Sequence, residues 1–228
     1  MINLSPEQFF DLSSYSHAIL FESTQFVWDP LKGIKDYLQG CSLGKIEAHV
    51  SKNAYLVCPE SISIGSGTIV EPGAYIKGPC IIGKNCTIRH GAYIRGDAII
   101  GDNCVIGHDT EVKNSIFLDK AQASHFAYVG DCILGNGVNL GAGTKCANLK
   151  LDRTHVFFYL ENQKIDTGLR KFGAIIGDYA QLGCNCVSNP GTLMGKGSSC
   201  YPCTTFGGLI PENHIVKSSH KVRTVLRN

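Results

Sequence analysis

The sequence predicts an all-β protein built as a parallel β-helix of triangular cross-section. Aliphatic residues recur every six positions from Ile64 to Leu118, and small residues recur at the same spacing from Thr68 to Thr110. A six-residue repeat of this kind puts one large side chain into the interior and one small side chain where the corner narrows, and three repeats complete a coil. Because the aliphatic series runs without interruption, chance is a poor explanation for it.

The aliphatic series is Ile64, Val70, Ile76, Ile82, Ile88, Ile94, Ile100, Ile106, Val112 and Leu118. The small series is Thr68, Ala74, Cys80, Cys86, Ala92, Ala98, Cys104 and Thr110. Three of the 11 cysteines therefore fall in interior positions, where they pack as small hydrophobic residues. An odd number of cysteines without a secretion signal argues against a disulfide framework, and the Cys184–Cys186 pair lacks partners at zinc-site spacing. No metal is predicted.

The register of the repeat slips between Leu118 and Leu134, and this gap contains the segment SHFAYVG at 124–130. The repeat resumes at Leu134 and again at Ile176, after an excursion at 149–173 that is polar and breaks the pattern. We interpret the excursion as an extended loop, with room for a hairpin, that stands out from one edge. Long loops in compact domains usually serve function.

The first 45 residues lack the repeat and predict a helical cap over the first coil. Ser5 precedes Pro6 as an N-cap, and a second helix has Asp29 as its cap, Pro30 in its first turn and Gly40 at its end. Such a cap covers the strand edge that the end of a β-helix exposes. The predicted organisation is a cap at 1–45, a β-helix at 46–216 and a tail at 217–228.

Composition excludes several function classes. The 228 residues carry a net charge of +2 with no long basic run, which argues against a nucleic-acid partner. No apolar run reaches the roughly 18–20 residues of a membrane span, so no membrane partner is expected. The first residues, MINLSPEQFF, lack the features of a signal peptide, and we expect a cytoplasmic protein.

Two features are candidates for a site. Lys77, Arg95 and Lys113 are spaced by one full coil, which predicts a basic ladder that is either a solvated edge or an anion site. His125 is either a general base or a structural histidine, and the spacing places it on a different corner from Lys113. In a cleft between subunits, these groups together with Asn139 and Asn148 would suit acyl transfer. Backbone N–H groups of the Gly141–Gly143 turn would then hold the thioester oxygen.

The segment SHFAYVGDCILGNGVNLGAGTKCANLKLD, together with TGLRKFGAIIGD, resembles the acetyltransferase part of bifunctional sugar-1-phosphate nucleotidyltransferase/acetyltransferases, over about residues 60–206. This resemblance implies a left-handed β-helix of hexapeptide repeats and a homotrimer that binds acetyl-CoA between subunits. It also implies acetylation of an amino-sugar phosphate such as glucosamine-1-phosphate. By motif, His125 would be the base. The residues implied for the acceptor are Arg95, Lys113, Tyr128, Asn139 and Lys171, and those implied for acetyl-CoA are Ala142, Asn148, Cys184 and Pro202.

The sequence departs from that family in places. Nothing in it resembles the glycine-rich opening of the nucleotidyltransferase part, so nucleotidyl transfer is not predicted. Cys184 and Pro202 stand where serine and a small residue are usual, and the loop after Asn148 lacks the usual lysines. Two alternatives therefore stay open: a non-catalytic trimer that binds a sugar nucleotide or acyl-CoA, and an acyltransferase with another acceptor. A third alternative is a zinc site of the γ-type carbonic anhydrases formed by His90, His108 and His125.

Overall fold

The computed structural model describes residues 3–160 and 163–218, so the predicted tail lies outside the described residues from 219 onward. Within this part, three long parallel sheets of nine, eight and eight strands form the three faces of a β-helix. Each strand pairs with the strand three elements further along the chain, or five where the loop intervenes, as stacked coils require. The predicted all-β fold with parallel stacking is confirmed.

Strands are numbered along the chain and grouped by face. Face 1 contains β1 (His49–Val50), β4 (Ile69–Val70), β7 (Thr87–Ile88), β10 (Val105–His108), β13 (Gln122–His125), β16 (Asn139–Leu140), β21 (Gln181–Leu182), β24 (Ser199–Cys200) and β27 (Ile215–Val216). Face 2 contains β2 (Tyr55–Val57), β5 (Tyr75–Lys77), β8 (Tyr93–Ile94), β11 (Glu111–Lys113), β14 (Tyr128–Gly130), β17 (Lys145–Cys146), β22 (Val187–Ser188) and β25 (Thr205–Phe206). Face 3 contains β3 (Ile62–Ile64), β6 (Cys80–Ile82), β9 (Ala98–Ile100), β12 (Ser115–Phe117), β15 (Ile133–Leu134), β20 (Ala174–Ile176), β23 (Thr192–Met194) and β26 (Leu209–Ile210).

The interior of the β-helix follows the predicted repeat with one exception. The aliphatic residues from Ile64 to Val112 and the small residues between them are buried in one continuous core. Leu118 is the exception, because it lies in a second cluster outside the coil while Phe117 occupies the interior. Phe117 pairs with Ile100, so this coil is one residue shorter than the six-residue series requires. Cys80, Cys86 and Cys104 are buried thiols of the interior, as predicted.

The N-terminal segment covers a side of the β-helix, which corrects the predicted cap over the first coil. Its helix α1 (Pro30–Gly40) buries Leu31, Ile34 and Leu38, and these pack into one cluster with outward-facing residues of face 3 such as Ile116. Short 3-10 helices precede it at Pro6–Gln8 and Ala18–Phe21, and another lies at Pro59–Ser61. Asp29 precedes α1 but its carboxylate does not cap it. It accepts from the N–H of Phe26 at 2.9 Å and pairs with Lys32 at 2.8 Å.

The excursion at 149–173 contains an antiparallel hairpin of β18 (Phe157–Leu160) and β19 (Gln163–Asp166). Its base is not free of the molecule, because Phe158 and Phe172 pack against Trp28 of the N-terminal segment. The repeat returns in phase after the loop, since Leu134 pairs with Ile176. Among the described residues, no helix is long and apolar enough to cross a membrane.

Candidate active site

Two groups of predicted site residues lie on opposite edges of face 2. One follows the corner where the chain passes from face 1 to face 2, and we call it the corner column. The other surrounds Asp131 at the corner between faces 2 and 3, and we call it the Asp131 cluster. The chain from His125 to Asp131 crosses face 2 from one group to the other in six residue steps, which is on the order of 20 Å of extended chain.

The corner column consists of equivalent residues in successive coils, and its members are His90, His108, His125, Ala142, Cys184 and Pro202. His108 and His125 are paired in register across β10 and β13. The N–H of Gly143 donates to the carbonyl of His125 at 3.0 Å, and the N–H of Asn185 donates to the carbonyl of Ala142 at 2.8 Å. The base and three of the acetyl-CoA residues that the sequence predicts therefore lie in one continuous stack.

His125 differs from the two histidines beside it in the column. The Nδ1 atom of His90 lies 2.7 Å from the carbonyl oxygen of Pro72, and that of His108 lies 3.0 Å from the carbonyl oxygen of His90. Within the described ranges, neither ring nitrogen of the exposed His125 has a hydrogen-bond partner. Its ring lies edge-on to Phe126, with centroids 6.4 Å apart. Of these three imidazoles, His125 is the one that keeps both nitrogens available for proton transfer.

The three histidines lie near one another, as the zinc alternative requires, but they are not arranged around a point. The rings of His90 and His108 stack with an interplanar angle of 12° and a centroid distance of 5.7 Å. The Nε2 atom of His108 faces the carboxylate of Asp109 at 3.2 Å. In the described part of the chain, no group of three or more histidine, cysteine or acidic residues is placed to hold a metal ion.

The sequence predicts that backbone N–H groups of the turn after β16 hold the thioester oxygen, and two of the three N–H groups in this turn are paired within the chain. The N–H of Gly141 donates to the carbonyl of Leu182 at 2.8 Å, and that of Gly143 donates to His125. The N–H of Ala142 has no acceptor among the residues that the structure describes. A side chain at Gly141 would clash with the backbone of the next coil, since its Cβ would lie 2.6 Å from the Cys184 nitrogen. Of the three N–H groups in this turn, that of the half-buried Ala142 is therefore the one left without an acceptor among the described residues.

The Asp131 cluster contains two residues that the sequence predicts for the acceptor, and one predicted for acetyl-CoA. The carboxylate of Asp131 pairs with Lys113 at 2.8 Å and accepts from Asn114 at 2.8 Å. Asn148 donates to the same carboxylate and to the Tyr128 hydroxyl, the latter at 3.1 Å. Asn148 thus belongs to this cluster and lies away from the corner column of its own chain, and its predicted contact with acetyl-CoA stays a prediction.

Partial burial raises the pKa of the Tyr128 phenol, so its O–H stays protonated at neutral pH. That hydroxyl accepts from Asn148 and keeps its own proton for another acceptor.

The basic ladder has the predicted stacking, but carboxylates neutralise two of its three cations. Face 2 aligns Lys77, Arg95 and Lys113 on successive strands. Arg95 pairs with Glu111 at 2.6 Å, and Lys113 pairs with Asp131. Acidic residues on neighbouring strands, one strand spacing away, therefore balance two of the three cations. The sequence signal for Asp131 is its place 18 residues after Lys113, one residue beyond the register partner of that lysine.

Lys171 and Asn139 complete the set of predicted residues. Lys171 is exposed at the end of the loop, where its backbone bridges to Leu149, and the N–H of Phe172 donates to the carbonyl of Asn148 at 2.8 Å. Lys171 thus lies at the same corner as the Asp131 cluster. Asn139 lies on face 1 in register with Gln122 and is not part of either group. The predicted pair of Asn139 and Asn148 is therefore not formed within one chain.

Comparison with known proteins agrees with the sequence resemblance. Residues 76–167 match the family model of the GMPPB C-terminal domain. A bifunctional sugar-1-phosphate nucleotidylyltransferase/acetyltransferase of Sulfurisphaera tokodaii is 35% identical over 161 residues, which cover 71% of this chain and 39% of that protein. The resemblance to this family is confirmed. A bifunctional protein GlmU of Methanococcus aeolicus is 36% identical over 89 residues, which cover 39% of this chain and 21% of that protein.

The chain thus spans about two fifths of the length of the Sulfurisphaera relative. Among solved structures, the UDP-N-acetylglucosamine acyltransferase of Francisella novicida is similar with a TM-score of 0.44 and 18% identity, over 75% of this chain and 66% of that protein.

Proposed function

We propose that this protein transfers an acetyl group from acetyl-CoA to the amino group of a sugar phosphate. The observation that carries the proposal is the position of His125, which is followed by Ala142 one coil further in the corner column; within the described ranges, neither the His125 imidazole nor the Ala142 N–H has a hydrogen-bond partner. A base next to a backbone donor is the arrangement that acyl transfer to an amine needs. The similarity to bifunctional nucleotidylyltransferase/acetyltransferases supports the same reaction.

The chemistry assigns each group a step. The amine nitrogen of the acceptor attacks the thioester carbonyl carbon, a C–N bond forms, and the C–S bond of acetyl-CoA breaks. His125 takes the proton that the amine loses. The N–H of Ala142 donates to the carbonyl oxygen while negative charge builds on it. The thiolate of CoA leaves and takes up a proton, and the exposed Cys184 and Pro202 continue the column along which CoA would lie.

The acceptor phosphate belongs with Lys113, Arg95 and Lys171, and the sugar belongs with Tyr128. These groups lie on the far side of face 2 from His125 of the same chain, a separation longer than one sugar ring with its phosphate. A second copy of the chain must therefore bring its own His125 to the Asp131 cluster. We propose a homotrimer, because a contact between two different surfaces of the chain forms a closed ring when three-fold rotation repeats it.

The experiment is subunit complementation. The variants His125→Ala and Lys113→Ala are each made, and then co-expressed so that mixed trimers form. If the site is shared, some interfaces combine an intact His125 with an intact Lys113, and roughly a quarter of wild-type thiol release from acetyl-CoA returns. If both residues serve within one chain, the mixture stays as inactive as the single variants, and the shared site is wrong. Failure of the wild type to release CoA with any amino-sugar phosphate overturns the function itself.

A further inference from the structure

The outer surface of face 2 carries two parallel rows of side chains that begin at the Asp131 cluster and run toward the first coils. The tyrosine row contains Tyr55, Tyr75 and Tyr93, and it is aligned with Glu111 and Tyr128 on the next two strands. The basic row contains Lys77, Arg95 and Lys113. Neighbouring strands are about 4.8 Å apart, so Tyr93 lies about 10 Å along the face from Tyr128.

The aromatic rings are accessible. Tyr55 is 64% exposed and Tyr93 is 42% exposed. The rings of Tyr75 and Tyr93 pack edge-on with centroids 5.2 Å apart, and the guanidinium of Arg95 lies 5.9 Å from the centre of the Tyr93 ring. An exposed tyrosine with an arginine beside it is the combination on which a nucleobase stacks while a phosphate binds next to it.

Along the basic row, the cations become less occupied by carboxylates from Lys113 through Arg95 to Lys77. Lys113 is only 18% exposed and is held by the nearly buried carboxylate of Asp131. Arg95 is 44% exposed and uses one terminal nitrogen on Glu111, in a surface pair that a phosphate can displace at little cost. Lys77 is exposed and, within the described residues, has no carboxylate within ion-pair distance. A sugar 1-phosphate at Lys113 would leave the two freer cations and the tyrosine row unused.

We infer that the acceptor is an amino sugar linked to a nucleoside diphosphate. The base stacks on Tyr93, whose ring Tyr75 supports edge-on, the two phosphates bind Arg95 and Lys77, and the sugar points along the face toward Tyr128. This assignment rests on the proposed function, because it names the acceptor of the same reaction. It deepens that proposal by extending the site by two coils beyond the Asp131 cluster.

Binding of UDP, GDP, ADP and pyrophosphate to the purified assembly, measured by calorimetry at two salt concentrations, tests the inference without turnover. We expect at least one nucleoside diphosphate to bind more tightly than pyrophosphate, and both affinities to fall as salt rises. Tyr93→Leu should weaken binding of that nucleotide about tenfold or more and leave pyrophosphate unchanged. Lys77→Met should weaken both. Tyr179→Leu is the matched control, since Tyr179 is 65% exposed on another part of the surface, and it should change neither.

Absence of nucleotide binding at millimolar concentration, or a Tyr93→Leu variant that binds like the wild type, overturns the inference. A change in assembly mass for Tyr93→Leu in sedimentation also overturns it, because the tyrosine row would then be a contact between copies of the chain.

A thiol-release assay separates this inference from the proposed function. We expect faster release with UDP-glucosamine or another nucleotide-linked amino sugar than with glucosamine-1-phosphate. Acetylation of glucosamine-1-phosphate alone overturns the inference and leaves the proposed function standing. Absence of release with every acceptor, in an assembly that binds the nucleotide, overturns the proposed function, and the inference about the acceptor falls with it.

Discussion

The carbonyl oxygen of His125 accepts a hydrogen bond from the N–H of Gly143 at 3.0 Å, so the backbone of the proposed base is fixed to the turn that contains the free N–H of Ala142. The backbone is held while the imidazole stays free. This arrangement separates the function of the residue from its contribution to the fold.

We predict that His125→Ala lowers turnover by at least about a hundredfold, because a general base contributes 10²–10⁴-fold. The melting temperature should stay nearly unchanged, since the His125 ring makes no hydrogen bond within the described residues and its backbone bond survives the substitution. Steady-state thiol release and thermal denaturation measure the two effects. His90→Ala is the control, two coils away in the same column, and should retain activity. A well-folded His125→Ala variant that releases thiol at nearly the wild-type rate would mean that His125 is not the base.

The interior of the β-helix was predictable because the repeat is a pattern of side-chain size, in which one large aliphatic residue and one small residue each recur every six positions. The exception at Leu118 has a physical reason: Phe117 and Leu118 are both large and apolar, and a shortened coil changes which of them points inward. The sequence also contains a signal for the position of the N-terminal segment against face 3, which the analysis of the repeat did not use. Ile99 and Ile100 are consecutive, and neighbours in a strand face opposite sides. Such a pair means that both sides of face 3 are covered.

The positions of the candidate site residues in the fold were predictable only in part. Motif and spacing identified His125, Ala142 and Lys113, and the coil geometry explains why the first two are adjacent. The carboxylate of Asp131 was not predicted as the partner of Lys113, because the spacing argument considered the cations alone. It did not identify the acidic side chain that the next coil places beside them.

We predict that Lys113→Ala raises the KM for the acceptor and leaves the KM for acetyl-CoA nearly unchanged, since Lys113 lies in the Asp131 cluster and away from the corner column. The substitution should also lower the free energy of unfolding by about 2–3 kcal/mol, because it leaves the carboxylate of Asp131 buried without a cation. The control is Lys45→Ala, which removes an exposed pair with Glu47 and should cost under about 1 kcal/mol. Equal losses in both KM values would indicate general damage to the fold.

Trp28 joins the N-terminal segment to the hairpin. It is fully buried, stacks on Phe26 with centroids 4.6 Å apart, and contacts Phe158 and Phe172. Its Nε1 atom has no hydrogen-bond partner among the described residues. We predict that Trp28→Ala costs about 3–5 kcal/mol in urea unfolding, whereas Trp28→Phe costs clearly less. Both variants remove the unsatisfied donor, and the milder change leaves the smaller cavity. Equal costs for the two variants would mean that the size of the cavity does not set the cost at this position.

Asp178 anchors the N-terminal segment to the β-helix. Its carboxylate accepts from the N–H of Asp11 at 2.6 Å and from the N–H of Asn136 at 2.7 Å. Burial raises the pKa of the Asp178 carboxyl above its usual value near 3.8, and the hydrogen bonds offset only part of that effect. The folded protein therefore binds a proton at this group more readily than the unfolded chain, and the stability contributed by the group rises as pH falls through the folded pKa toward 3.8.

We expect the destabilisation by Asp178→Ala to be larger at about pH 4.5 than at pH 7, because the wild type gains stability in this window and the variant lacks the titrating group. Urea unfolding at both pH values measures the difference, and an NMR titration of the carboxyl reports the pKa directly. Glu47→Ala is the control, since Glu47 is exposed, and its cost should vary little between the two pH values. A smaller cost of Asp178→Ala at the lower pH would mean that the hydrogen bonds outweigh burial and that the pKa is depressed.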